Sequence, residues 1–207
     1  IADVRASANF SQRIYALEGY LSPNTYEIYT SATPEEIIKK LLSQTEAVFR
    51  DEWHDRADAL GMTMDQVITL ASLIEKEAKQ ADFARVSAVF HNRLKINMAL
   101  GSDVTIKYVT GTERMSLNNS DLSVDSPYNT YRNKGLPPGP ICNPSAAAIE
   151  AALYPDETFT AQNYLYFCSK DPATGELYFS RTLEEHEAAV KIYAPLWQAY
   201  DEKTGAK

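Results

Sequence analysis

Two cysteines in 207 residues, Cys142 and Cys168, are too few for a disulfide scaffold. No CxxC pair or Cys/His cluster accompanies them, which removes the usual structural zinc sites. A Cys142–Cys168 bridge is one reading, and two buried free thiols are the preferred one. Histidine is scarcer than in most metalloenzymes: His54, His91 and His186 fall on separate predicted helices without HExxH spacing. Each reads as structural rather than as a ligand. Basic residues are in deficit, 20 against 28 acidic, and the net charge of -8 argues against a nucleic-acid partner, whose phosphates need a basic surface. No apolar run is long enough to span a bilayer. GxSxG elbows, P-loops and dinucleotide fingerprints are also missing, so Ser or Cys nucleophile chemistry and nucleotide chemistry have no visible support. No cofactor is implied.

What is present is a core former. Hydrophobic residues make up 44% of the chain, enough for one large domain without metal or disulfide staples. Tyrosine is abundant, with 13 against 7 Phe and 2 Trp, a composition that suits stacking on sugar rings as well as ordinary wet-tipped core positions.

Patterning gives an α+β class, mainly helical with a small β component. Residues 10–29 alternate in places and read as short strands about a turn at Ser22-Pro23-Asn24. Thr33 caps a helix with Pro34 at its first position, apolar residues recur from Ile37 to Phe49, and Gly61 supplies a stop. Thr63-Met64-Asp65-Gln66 is a capping box opening a second helix, striped by Val67, Leu70, Ala71, Ile74 and Ala78. A third carries Phe83, Val86, Val89, Phe90 and Leu94 and ends near Asn97. From Met98 to Ile141 helical patterns are few and Ser, Asn, Asp, Gly, Pro and Tyr are many, which predicts a long irregular, cleft-forming segment. An Ala-rich helix follows Asn143-Pro144. Tyr164–Cys168 and Leu177–Ser180 read as two strands joined through Asp171–Gly175. A last amphipathic helix runs from about Leu183 to Trp197.

The informative stretch is Ala71-Ser72-Leu73-Ile74-Glu75-Lys76-Glu77-Ala78. At 100° per residue, Lys76 points away from the apolar stripe while Glu75 and Glu77 fall on its opposite shoulders. Either carboxylate could be half buried, a setting that desolvates an acid and prepares it for proton donation. Spacing does not choose between them, and an ordinary Glu-Lys-Glu helix edge has the same pattern.

This stretch resembles the catalytic-helix signature of the YceG-like family, the endolytic murein transglycosylases. Further segments match in the same order. Leu17–Tyr26 resembles the family's opening motif and Val89-Phe90-His91-Asn92-Arg93-Leu94 the helix after the catalytic one. Ser102-Asp103-Val104-Thr105 and Ser126-Pro127-Tyr128-Asn129-Thr130-Tyr131 resemble its cleft segments. Gly135–Ile141 with Asn143-Pro144 resembles its Pro-rich loop, and Tyr164–Phe167 and Thr182–His186 complete the match. The chain departs from the pattern at Ser22 and Asn24, where Phe and Asp are usual, and at Gly101 and Val104, where Gln and Pro often occur.

The resemblance implies that Glu75 is the catalytic acid/base and Glu77 structural. It implies cleavage of the β-1,4 bond between N-acetylmuramic acid and N-acetylglucosamine without water, leaving a 1,6-anhydro end. Asp103, Thr105, Tyr128, Asn129, Thr130 and Tyr131 are the candidate substrate-binding residues. The expected division is a tail of a preceding segment or linker at 1–16, the catalytic domain at 17–200 and a C-terminal tail at 201–207. Because the chain opens on Ile1, the expectation is a longer natural product, anchored by an N-terminal transmembrane helix on the extracytoplasmic face and working near wall-synthesis enzymes. Two rival readings are a lysozyme-like hydrolase using Asp103 or Asp125, and a wall-binding module without catalysis.

Overall fold

A computed structural model describes residues 9–206. Among them are nine α-helices and one two-stranded sheet. The helices are α1 (Pro34–Val48), α2 (Asp51–Ala59), α3 (Met64–Glu77), α4 (Phe83–Lys95), α5 (Asp103–Thr110), α6 (Asn119–Leu122), α7 (Ala146–Leu153), α8 (Glu157–Ala161) and α9 (Leu183–Thr204). Strands β1 (Tyr166–Asp171) and β2 (Glu176–Ser180) pair antiparallel, with an irregularity between Ser169 and Asp171. The class is α+β and mainly helical, as the pattern predicts.

Helix α3 is the axis of the molecule. Thr63 and Gln66 close its capping box, and every residue from Val67 to Ile74 is buried, the apolar ones fully. A helix enclosed on nearly all sides must have neighbours on all sides. Here they are α7, with which α3 makes its most extensive contact, then α4, α5 and α2. Trp53, Phe83, Phe90, Leu100, Tyr128, Ile149 and Leu153 complete the core around it.

Helix α4 docks through polar side chains as well as apolar ones. His91 Nε2 lies 2.8 Å from the Ala152 carbonyl oxygen, Asn92 Nδ2 donates to the carbonyls of Phe159 and Tyr164, and Arg93 Nε donates to that of Leu165 at 2.6 Å. Those carbonyls lie at the end of α7, at the end of α8 and before β1. Three consecutive polar residues thus satisfy backbone acceptors where helices stop, groups that would be costly to bury unpaired. The β hairpin packs beneath α9, whose Trp197 Nε1 donates to the Ser169 carbonyl.

Four expectations need correction. Residues 10–29 form no strands, and Phe10–Gln12 is a short 3-10 turn. Their backbone is held by side chains instead: Asn143 Oδ1 accepts from the Gly19 and Leu21 amides, and Thr45 Oγ1 accepts from that of Ser22. Alternation without a partner strand leaves amides that something else must satisfy. Gly19 is required at that crossing, because at φ 88° an added Cβ would come within 2.8 Å of Ile68 and overlap Pro140. The pattern from Pro34 to Gly61 is two helices, broken at Phe49 and Arg50, both extended. The segment 98–141 contains α5 and the single turn α6. Its β-branched Val104, Thr105 and Ile106 mask α5 from a propensity reading. The last helix also runs on to Thr204, where Gly205 at φ 67° ends it.

Candidate active site

At the C-terminal turn of α3 the helix leaves the core, with Lys76 exposed and Glu75 and Glu77 half buried. Each acid is gripped by a serine that begins another helix. Ser145, the N-cap of α7, donates to Glu75 Oε2 twice, through its amide at 3.0 Å and its hydroxyl at 2.6 Å. The same hydroxyl accepts from the Ala148 amide. Glu75 therefore faces the positive end of α7. Among the described residues, nothing hydrogen-bonds to its other oxygen, Oε1.

The loop that delivers Ser145 is stitched to α3. Ser72 Oγ accepts from the Ile141 amide at 3.0 Å, and Cys142 Sγ donates to the Ser72 carbonyl at 3.4 Å. Cys142 and Cys168 are both free thiols. Burial pushes the Cys142 thiol up to about 12, with Lys76 opposing and Glu75 and Glu18 adding to the rise. The charges of Glu75, Glu18 and Lys76 are thus all felt at this thiol.

The other shoulder has different chemistry. Ser102, the N-cap of α5, does not cap its own helix; its hydroxyl is donated to Glu77 Oε1. The stem of Glu77 reaches the surface but its carboxylate is enclosed, and that desolvation raises its pKa to about 7. The Ser102 bond opposes the rise, Asp103 adds to it, and Lys107 and Arg93 reduce it. Burial also raises Asp103, which accepts a hydrogen bond from the Tyr131 hydroxyl. Burial and the Asp103 charge in turn hold the Tyr131 phenol strongly protonated. Arg93 lies over the Tyr166 ring, which stacks on His186. Its guanidinium serves the Leu165 and Leu100 carbonyls and pairs with no carboxylate directly.

The structure sorts the sequence candidates into two groups. Thr105, Tyr128, Asn129 and Thr130 are at most 1% exposed. Thr130 Oγ1 accepts from the Ser102 amide and sits 3.0 Å from Thr105 Oγ1, while Asn129 Nδ2 donates to the Leu122 and Val124 carbonyls. Asp103 and Tyr131 come together beside Glu77, and Tyr131 is 40% exposed. Asp125 projects into solvent, 3.7 Å from Arg132. Sequence reasoning did not assign Ser145, Ser102 or Glu18 a role. The first two carried a signal in retrospect, each opening a helix in a segment already singled out.

A cavity of about 970 Å³ lies elsewhere. It is lined from the first turns of α3 (Met64, Asp65, Gln66, Thr69) together with His54, Asp58 and Pro137, and neither Glu75 nor Glu77 borders it. Among the described residues, no cluster of His, Cys, Asp and Glu could hold a metal ion, and no helix is long and apolar enough to cross a membrane.

The YceG-like family profile matches residues 2–192. The endolytic murein transglycosylase of Bacillus subtilis (strain 168) is 41% identical over 181 residues, covering 86% of this chain and 48% of the relative. That of Streptococcus pneumoniae serotype 2 (strain D39) is 37% identical over 182 residues, covering 85% of this chain and 32% of the relative. A crystal structure of a YceG-like protein from Listeria monocytogenes superposes with a TM-score of 0.75 at 40% identity, covering 86% of this chain and 56% of that one. This chain belongs to the YceG-like family. It spans about half the length of the Bacillus relative and about a third of the Streptococcus one.

Proposed function

We propose that this chain is the catalytic part of an endolytic murein transglycosylase, a lyase acting on peptidoglycan glycan strands, and that Glu75 is its acid/base. The observation that carries the assignment is the asymmetry of the Glu75 carboxylate joined to its half-buried position, since Glu77 is bonded on one side too but is enclosed. Ser145 fixes Oε2 with two hydrogen bonds, and among the described residues Oε1 has no protein partner. A carboxyl group held on one side and free on the other is oriented for proton exchange with a substrate.

In the reaction the glycosidic C1–O4 bond breaks as Glu75 gives its proton to O4. The muramic acid C6 hydroxyl then adds to C1 and its proton returns to Glu75. The products are a free 4-hydroxyl end and a 1,6-anhydro end, and no water enters. One carboxylate serves both transfers, unlike the two-carboxylate arrangement of most glycoside hydrolases. The acids named for a hydrolase do not flank Glu75: Asp103 lies with Glu77 on the opposite shoulder, and Asp125 is in solvent. The carboxylate whose charge is felt with that of Glu75 at Cys142 is Glu18, the residue to test were hydrolysis found.

A murein substrate implies an extracytoplasmic location. Tethering by an N-terminal transmembrane helix and work beside wall-synthesis enzymes rest on the family resemblance alone. The decisive experiment is mass spectrometry of muropeptides released from purified peptidoglycan. Wild type should yield anhydro ends, and Glu75→Gln should lose about 100-fold or more of that activity with its melting temperature retained. A folded Glu75→Gln variant that still cleaves would sink the assignment. Reducing ends would indicate a hydrolase, and strand binding without products a wall-binding module.

A further inference from the structure

Glu77 has no part in the proton transfers, yet its carboxylate is enclosed and bonded to a serine from another helix. Its carboxylate takes the hydroxyl of Ser102 away from the ordinary job of an N-cap serine, leaving α5 without a side-chain cap. The residue after that serine, Asp103, accepts from Tyr131. Gly101, on the other side, lies against both Arg93 and Tyr131, where even a Cβ would sit 3.5 Å from each. The charged groups facing Glu77 are Arg93 from α4 and Asp103 and Lys107 from α5, with the Tyr131 phenol from the loop above.

We propose that Glu77 is a positioning residue: through Ser102 it holds the first turn of α5 so that the Asp103–Tyr131 pair forms a sugar-binding edge opposite Glu75. This rests on the function proposed above. The edge has the right chemistry. Tyr131 exposes part of an aromatic ring on which an apolar sugar face can stack, and its hydroxyl is already committed to Asp103. Asp103 keeps a second oxygen, Oδ2, to accept from a sugar hydroxyl. Glu75 and Glu77 leave α3 on opposite shoulders, so the two sites stand apart by about the width of a helix, roughly 10 Å. Tyr131 therefore meets a neighbouring saccharide, not the ring being cleaved, and the edge acts on strand binding instead of bond breaking.

The two acids beside each other also give the edge a dependence on pH. While Glu77 is protonated it places no charge beside Asp103 and the pair holds. As pH rises through about 7 Glu77 ionises against Asp103, and like charges in one enclosed site repel.

The test is steady-state cleavage of purified glycan strands by the domain, from about pH 5.5 to about pH 8.5, with Glu75→Gln assayed alongside. Wild-type KM should rise several-fold as pH passes neutrality, with kcat changing less. Glu77→Gln, which keeps an acceptor for Ser102 and cannot ionise, should give one KM across the range. Tyr131→Ala should raise KM several-fold at every pH, and Ser102→Ala should do the same even if Glu77→Ala does not fold. A Glu77→Gln profile superimposable on wild type, or an unchanged KM in Tyr131→Ala, would overturn the edge while leaving Glu75 in place. Loss of kcat in Glu77→Gln at every pH, with Glu75→Gln active, would move the acid to Glu77 and overturn both proposals.

Discussion

Helix α3 carries a carboxylate near each end, and the two ends treat it in opposite ways. In the first turn, Asp65 is buried and fully paired: Arg13 bonds to one oxygen and Tyr20 Oη donates to the other at 2.6 Å. Arg13 also donates from Nε to the Pro138 carbonyl, and Gly139 rests on its side chain. The network therefore ties the start of α3 to the Pro-rich loop and to the segment around Tyr20. Ten residues on, about 15 Å along the axis, Glu75 and Glu77 each have one oxygen bonded to an N-cap serine and one without a protein partner. A buried acid with both oxygens satisfied is a fastener. Glu75, half buried with one oxygen unspent, is available for chemistry, whereas the Glu77 carboxylate is enclosed.

The comparison breaks most sharply at Arg13. Removing one member of a buried ion pair strands the other, at a cost of about 3–5 kcal/mol. Arg13→Ala should therefore lower the melting temperature by about 10 °C or more for a domain of this size. Thermal denaturation followed by circular dichroism reads this directly. Because the network holds a loop and no reacting group, cleavage per folded molecule should fall far less than in Glu75→Gln. A variant with wild-type stability would show that Asp65 is hydrated and that the two ends are not different in kind.

Ser145 sharpens the contrast at the other end, since it combines both roles. Its hydroxyl caps α7 and orients Glu75. Ser145→Ala should cost about 1 kcal/mol in stability through the lost cap, measurable by urea denaturation. It should also lower kcat by about tenfold, the scale of one hydrogen bond, because the Ser145 amide still holds Oε2. Ser145→Thr should restore most of both. A variant that loses stability alone would mean that the amide suffices to orient the carboxylate.

How legible this was in the sequence follows from where each signal comes from. The α3 capping box and apolar stripe are local, and both are read from one short segment, Thr63 to Ala78. The opposite shoulders of Glu75 and Glu77 follow from helix periodicity alone. What each shoulder faces does not, since Ser145 is 70 residues from Glu75 and Ser102 is 25 from Glu77. Composition suggested a polar cleft wall within Met98 to Ile141, but it could not separate polar atoms spent inside from those turned outward. Thr105, Asn129 and Thr130 bond inward, whereas Tyr131 stays partly exposed. The failure at residues 10–29 has the same root. Alternation shows which side chains share a face, while strand formation needs a second strand, and here Asn143 and Thr45 supply the missing partners.

A further contrast separates Glu77 from the fastener type by its sign. Asp65 is ion-paired with Arg13, but Glu77 is enclosed without such a partner among the described residues, and its pKa is raised from 4.5 to about 7. An acid whose folded pKa is raised binds its proton more tightly in the native state. Its contribution to stability is therefore fully present below about pH 4.5 and is lost as pH climbs toward 7 and passes it. Asp103, also raised by burial, acts in the same direction, whereas His91 and His186, lowered by burial, act in the opposite one. The total pH dependence of stability mixes all of these, so the useful quantity is a difference. Glu77→Gln cannot ionise, and its stability relative to wild type should increase steadily between about pH 4.5 and about pH 7.5, then level off. Denaturant midpoints measured in parallel across that window would show it. A difference that stayed flat would mean that water reaches the Glu77 carboxylate, whereas one that decreased would mean that Arg93 and Lys107 outweigh burial and make Glu77 a fastener like Asp65.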